Sequence, residues 1–564
     1  MNLRTPRTPL AEYAKSLKKM APAREPIMQY PMYTAALSAV LAMTAVRSHE
    51  ELLVDGLIVH FTRALGKAMF VSHQWGSYRH ADPDGRQFRV LQDALSNLLA
   101  GTARVSPDLL TEMIYGRAPS FSKANLTSAD IYIWYDFFSI PQITIQLHTE
   151  SQGFLKRSQA IASIPAYIEK CEFFVALCPV LTHADTAQPM DQYSWAKRGW
   201  CRVEKAVRNL LAPNDMMLMI ESPKHMSMLA LRDTLFHPFG AGEFTIEGDR
   251  QVVGQILRDI LELKLHNDLW KGNLLEYRFF MNRQDMLFQN CNLRYIPSPL
   301  RISSTLESLD DTCHEFLHQN GFLNVTDRDR WGFSPLCYAV TKGSPELVKA
   351  MLAKKANPND RISKANKKFT SPKNVSVLSL CVLHKSHEVL ELLLTARADP
   401  SQRDGNGNTP VIYSAFSNDG AGAKLLCDFK ADPRLPNMFG FNCMDLAFSQ
   451  GASDVATALW SYASRGHCLL HWAMLLNGGD PDFVSMVVEK GSELNYLNSQ
   501  FHAASLEHKL LFGLFRMKYR LGSRSVMSRA SYHHSGATPL MLSIITGKFC
   551  AARILLRAGA RVDL

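Results

Sequence analysis

The strongest constraint on this chain is a short phrase that returns at a fixed interval in its second half. Ala398-Asp399-Pro400 and Ala431-Asp432-Pro433 stand 33 residues apart, and Ala356-Asn357-Pro358 lies 42 residues before the first of them. The longer step fits one unit plus a nine-residue insertion in the basic loop Arg361–Lys373. Ser334-Pro335-Leu336, Thr409-Pro410 and Thr538-Pro539-Leu540 recur as helix openings. Each sets a capping hydroxyl before a proline at the first helical position. Apolar pairs close the helices at Met351-Leu352, Leu393-Leu394, Leu425-Leu426 and Leu555-Leu556. One such unit cannot bury its apolar face alone, so the period predicts a stack of helix pairs.

The period, the Thr-Pro-Leu opening and the Ala-Asp-Pro exit resemble the ankyrin repeat over nearly half of the chain. The resemblance implies an all-α solenoid over 300–564, in about six units, that binds a partner protein. Some units depart from the pattern. Gly440-Phe-Asn-Cys-Met444 replaces the usual Gly-x-Thr-Pro-Leu, and His467-Cys-Leu-Leu-His471 lacks the proline. Residues 496–535 read as a second insertion with its own amphipathic piece, Leu506–Tyr519. The last unit ends at Leu564 without an evident polar cap. The expectation is therefore a fragment, or a short degenerate cap.

Strand and helix patterns alternate ahead of the repeats. Residues 1–65 read as a lead-in with one or two helices over 31–65, and 66–295 as an α/β domain. Buried-strand patterns occur at Ala68–Trp75, Ile131–Asp136, Phe173–Cys178 and Met216–Ile220, with a fifth expected near Gly242–Ile246. Helices are expected from Phe88 to Leu99, over Arg157–Glu169 with a break at Pro165, and over Val252–Leu265. Such alternation predicts a parallel sheet covered on both faces. Arg198-Gly-Trp-Cys-Arg-Val-Glu204 follows the third strand and opens a helix whose first turn is expected to hold Glu204. Open α/β sheets bind ligands at the carboxyl ends of their strands.

Trp200-Cys201-x-x-Glu204 is similar to the Trp-Cys-x-x-Glu box of Toll/interleukin-receptor (TIR) domains. Phe70-Val71-Ser72 resembles that family's first-strand box. Trp134-x-Asp136-x-x-x-Ile140-x-Gln142 looks like a box of the related heterokaryon-incompatibility (HET) domains, with Ser139 in place of cysteine. Arg157, Ile161 and Tyr167 resemble the next helix of that group. The resemblance spans roughly 66–270. It implies a flavodoxin-like sheet, a signalling role with self-association and, in some members, cleavage of NAD at the nicotinamide–ribose bond. Glu204 is then the candidate catalytic carboxylate, since a negative charge stabilises an oxocarbenium-like transition state. Ser72, His73, Trp75 and Asp136 are the candidate nucleotide-binding residues, and an aromatic such as Trp75 can stack on a flat base. No cofactor is required, and NAD enters only as a substrate. The loop from Pro179 to Gly199 is longer than the family's link, and the loop around His80–Gln87 differs as well.

Each candidate also has a structural reading. A glutamate near a helix start is favourable without catalysis. Trp200, Cys201 and Trp134 read as core, Asp136 as a cap for the next turn, and His73 as a satisfied buried histidine. A Cys201 nucleophile served by His73 or His183 has no supporting spacing. Gly405-Asn-Gly407 is a repeat-loop turn, because Pro410 stands where a dinucleotide fingerprint needs glycine.

The eleven cysteines are dispersed without a Cys-x-x-Cys pair or a metal-ligand cluster, so free thiols in a reducing compartment are expected. The net charge of +10 comes from scattered residues with no nucleic-acid-binding signature. The apolar run Tyr33–Val46 falls short of the roughly 20 residues needed to cross a bilayer. With no secretory signal at the start, a cytoplasmic protein is the expectation. The function readings are a signalling protein whose TIR/HET-like domain cleaves NAD, and alternatively a non-enzymatic adaptor. A cleft filled by Trp75, Tyr193 or Trp195 favours the adaptor.

Overall fold

The computed structural model describes residues 8–108, 111–112, 121–142, 150–211, 216–230, 238–301, 308–366, 371–462, 468–491, 497–502, 505–523 and 525–563. His467, the tip of the first insertion (367–370) and parts of the second (496, 503–504 and 524) lie outside the described residues.

Among the described residues ten strands precede the repeats. They are β1 (Tyr33–Ala36), β2 (Ile58–His60), β3 (Lys67–His73), β4 (Ser106–Pro107), β5 (Ile131–Tyr135), β6 (Phe173–Leu177), β7 (Leu181–Thr182), β8 (Pro189–Met190), β9 (Met216–Ser222) and β10 (His225–Ala230). Eight form one sheet in the order β2-β1-β5-β3-β6-β9-β10-β4. The central run β5-β3-β6-β9 is parallel throughout. In chain order those four strands read second, first, third, fourth, which is the flavodoxin-like arrangement.

Alternation along the central strands sorts their side chains onto two faces. Phe70, Trp134, Phe174, Met217 and Met219 point to one face, under the helices Ile164–Lys170, Gly199–Leu211 and Asp249–Lys271. Met69, Ile133, Val175, Leu218 and Ile220 point to the other, under Arg86–Ala100 and Lys123–Thr127. Strands buried on both faces read as nearly continuous apolar runs, which is why all four were recognisable. Phe70 stacks on Trp134 with ring centroids 4.2 Å apart and on Phe174 at 5.4 Å, a ladder across three strands.

Three expectations are corrected. Residues 31–65 are not purely helical: β1 and β2 bracket two short helices, Leu37–Ala42 and His49–Val54, and β1 pairs antiparallel with β5. The strand beyond β9 is β10, antiparallel to it and joined by a tight hairpin. The segment Gly242–Ile246 lies instead against the start of the Gly199 helix, with a single bridge between Arg198 and Glu243. A Cβ on Gly199 would stand 2.2 Å from the Phe244 ring, so glycine is required for that approach. The loop 179–199 is partly ordered, with the β7–β8 hairpin and the helix Gln192–Lys197.

From Leu309 onward the described chain is helical but for one hairpin. After the single helix Leu309–Asn320 come helix pairs such as Pro335–Lys342 with Pro345–Ala353 and Pro410–Ser417 with Gly420–Asp428. Ser334 and Thr538 cap their helices through the side-chain oxygen, as their hydroxyls predict. At the degenerate unit Asn442 does the same work, in a capping box with Asp445. The first insertion is carried by a two-stranded hairpin, β11 (Arg361–Ile362) and β12 (Val375–Ser376). The second holds the helices Leu506–Arg520 and Val526–His533, packed on each other.

The array is tied to the α/β domain at both ends. At its start, the Arg278 Nε donates to the Asn320 carbonyl at 2.6 Å and the Asn282 amide to the Asn320 side chain at 2.6 Å. The N-terminal helix Pro9–Met20 packs on both Asp249–Lys271 and Leu309–Asn320. At its far end, Lys197 pairs with Asp480 at 3.1 Å and Asp482 at 2.5 Å. There Gly547 comes so close to the His225 ring that a Cβ would clash at 2.4 Å. Burial lowers the Lys548 ammonium to about 8 and raises the Glu221 carboxyl to about 7 at the same seam.

Candidate functional site

Ser72 and His73 end β3, Asp136 follows β5, and Glu204 lies on the helix that follows β6. The parallel register sets Ser72 beside Ala176 and His73 beside Leu177, so these side chains gather at the carboxyl edge of the first and third central strands.

Asp136 is the hub. Its Oδ1 meets the His73 Nε2 at 2.7 Å, and its Oδ2 accepts from the Trp75 indole at 2.6 Å. The His73 Nδ1 lies 3.2 Å from the Gln74 carbonyl, and its ring stacks on Tyr135 with centroids 4.0 Å apart. Burial alone pulls the imidazole pKa down, but the Asp136 carboxylate outweighs it and the net shift is upward. Burial likewise pushes Asp136 up, yet His73 and the Trp75 N–H bring it below the usual carboxylate range. His73 and Asp136 thus each favour the other's charged form, with the imidazole enclosed and the carboxylate partly open.

Glu204 behaves differently. It is buried, and desolvation raises its carboxyl to about 8 against a hydrogen bond from Ser72 that favours the charged form. The Asp136 charge pushes the same way as burial. Near neutral pH Glu204 is therefore protonated. The Gly199–Leu211 helix begins five residues before it, so Glu204 sits in the second turn and not the first, away from the free N–H groups that favour a carboxylate.

Two further residues complete the cluster: Trp195, already named as a possible filler of the cleft, and Gln87. Trp195, from the Gln192–Lys197 helix, donates its indole N–H to the Ser72 Oγ at 3.0 Å and is almost wholly buried. It lies against the same Ser72 side chain that bonds Glu204. Gln87 donates to the Gln74 carbonyl at 2.9 Å, its Nε2 also 3.4 Å from His73 Nδ1. Its signal was present: Gln87 shares a helical face with Leu91 and Leu98, a polar residue on an apolar stripe. The bond of Trp195 to Ser72 gave no such signal, since Trp195 arises from a loop with no period.

The Cys201 thiol donates to the His73 carbonyl at 3.5 Å, and burial holds its pKa well above the ordinary value. It is a core residue, not a nucleophile. Among the described residues no group of three or more His, Cys, Asp or Glu side chains could hold a metal. No helix of the described residues is long and apolar enough to cross a membrane.

The second half is an ankyrin-repeat region. Residues 378–498 match the family described as ankyrin repeats in three copies, and residues 331–363 match a single ankyrin repeat. The chain is similar to the human transient receptor potential cation channel subfamily A member 1, 28% identical over 33% of this chain and 16% of the channel. It is similar also to the ankyrin repeat, SAM and basic leucine zipper domain-containing protein 1 of Saimiri boliviensis boliviensis, 29% identical over 20% of this chain and 23% of that protein. The chain thus spans less than a quarter of the length of these curated relatives. The human ASB11 ankyrin repeat domain overlies 41% of this chain and 86% of that structure at 19% identity, with a TM-score of 0.29. The α/β sheet is mixed and mostly parallel, and its family is unidentified.

Proposed function

We propose that this chain is a protein-interaction scaffold: the ankyrin array binds a partner protein, and the α/β domain is a fixed part of the same body rather than a nucleotide-cleaving enzyme. The repeat register carries this reading. Stacked repeats present one continuous surface built from equivalent positions, and such surfaces bind proteins. The two relatives are proteins of different kinds, so no particular partner is carried over.

The state of the Glu204 cluster also supports the scaffold. Cleavage of NAD through an oxocarbenium-like transition state calls for an ionised carboxylate facing the sugar. Glu204 is buried and protonated near neutral pH, with Trp195 beside the hydroxyl it bonds. The enzyme reading draws on the four TIR/HET-like boxes and on the position of Glu204, Asp136 and His73 at the carboxyl edge of a flavodoxin-like sheet. In that reading Glu204 must be ionised when the nucleotide is bound.

The two readings separate in one assay: nicotinamide release from NAD by the crowded, purified chain, alongside Glu204→Ala. No release from either protein, with both folded, is the expected result. Release by the wild type that is lost in the variant would overturn the scaffold as a sufficient account.

A further inference from the structure

The insertion helix Leu506–Arg520 has two apolar faces, and only one is used. Phe512 and Phe515 are buried, and Phe512 stacks on His534 with centroids 4.2 Å apart. His508, on the same side, packs 4.7 Å from the Phe441 ring. This face fastens the helix to the array. On the opposite face Leu506, Leu510, Leu514 and Met517, with Leu521 at the C-cap, are 49% to 79% exposed. From Leu510 the spacing is four, three, four residues. At 3.6 residues per turn the five side chains fall within an arc of about 80°. That is narrower than a core-facing stripe and matches a helix–helix seam.

The charges beside the seam say what can cover it. Lys509 and Arg520 line one edge; Glu507 and Lys518 line the other. Lys518 is partly engaged by Glu112 at 3.8 Å. Antiparallel pairing with a second copy of the chain would set the cationic edge against itself. Parallel pairing would set it against an edge whose charges are Glu507 and another cation. Like charges across a seam disfavour both arrangements.

We propose that this stripe, displayed outside the repeat stack, is a docking seam for an amphipathic helix of a partner protein that carries acidic residues beside its apolar ridge. The seam extends about 22 Å along the helix, enough for two heptads of a partner. Gly513 lies at its border with open space around it, so a second backbone can approach closely there. A cationic border also speeds encounter with an acidic partner.

The test uses the full chain and a synthetic helix of about three heptads, with leucine at the core positions and glutamate beside them. Its twin carries lysine in place of glutamate. Anisotropy should show binding of the glutamate peptide and not of its twin. Leu510→Gln with Leu514→Gln removes only exposed side chains and should weaken binding about tenfold or more. Lys509→Glu with Arg520→Glu should turn the preference toward the lysine twin. Binding of neither peptide, or equal binding of both, overturns the proposal. Capture of phosphatidylserine vesicles in place of the peptide would make the stripe a membrane-surface helix. Dimerisation by sedimentation that the two glutamine substitutions abolish would make it a self-interface.

Discussion

The repeat array and the Glu204 cluster solve the same problem, buried polar groups, in opposite ways. In the array the solution is local and copied. Asp404 Oδ1 accepts from the backbone N–H groups of Asn406 and Asn408, and Asn437, one period later, accepts from Phe439 and Phe441. Asp329 accepts from Trp331 and Phe333 in the same manner. Arg328 bridges to the Arg361 carbonyl and Arg403 to the Pro436 carbonyl, each tying one unit to the next. In the α/β domain each solution occurs once and joins distant segments. Asp136 holds His73 and Trp75, and Ser72 holds Trp195 more than a hundred residues away. Local, repeated solutions make damage graded; single, shared ones make it cooperative.

The largest effect should come from breaking the hub. Asp136→Ala leaves an enclosed imidazole without its counter-charge and the Trp75 N–H without an acceptor, a loss of about 2–4 kcal/mol. The pH dependence should invert as well. In the wild type the raised His73 pKa gives stability that is present below about 6.5 and lost as pH rises through the folded value. Without Asp136, burial lowers that pKa, so stability should instead fall on acidification through the same range. Urea titrations at pH 5, 6 and 7 measure both, and an unchanged slope would refute the ion pair. Asp404→Ala, the matching cut in the array, removes the turn and the Tyr413 hydroxyl's acceptor at 2.6 Å. It should cost about 1–3 kcal/mol. Hydrogen exchange should rise around residues 404–413 and stay unchanged in the α/β sheet. A spread of the effect into β3 and β5 would mean that the two regions are not different in kind.

Glu204→Gln sharpens the comparison from the other side. The folded carboxyl titrates near 8 and the unfolded one near 4.5, so between those values folding takes up a proton and stability falls as pH rises. Glutamine removes that penalty while keeping a polar group against Ser72. The variant should be more stable than the wild type at pH 8 by roughly 1–3 kcal/mol, and the gap should close toward pH 5. A variant less stable at pH 8 would show Glu204 to be ionised in place.

This contrast also explains what could be read beforehand. Period, caps and apolar pairs are local signals, so the array was visible down to Thr538 and the Leu506 helix. The four central strands were visible because burial on both faces makes them continuous. β1, β2 and β10 were missed because they lie on the antiparallel flanks of the sheet and are buried less continuously than the central four. Ser72, His73 and Asp136 lie at or just past strand ends, where the strand patterns put them. Their pairing was not legible: nothing in the order of residues says that Trp195 folds back on Ser72, or that burial raises the Glu204 carboxyl while His73 lowers that of Asp136.

The smallest effect tests how strictly the array repeats itself. Lys355, Arg397 and Lys430 each stand just before an Ala-x-Pro exit with φ of 65°, 65° and 72°. Gly559, before Ala560, holds the same conformation with φ of 89°. A side chain in the left-handed region costs about 1–2 kcal/mol, and glycine avoids that cost while giving back part of it in unfolded-state entropy. Lys430→Gly should therefore stabilise by up to about 1 kcal/mol, and Lys355→Gly and Arg397→Gly by similar amounts. The three positions lie in different units and share no partner, so the gains should add when combined. Thermal unfolding of the single and triple variants measures this. A triple variant well short of the sum would show that the units communicate through their exits, and that the array is less local than its register implies.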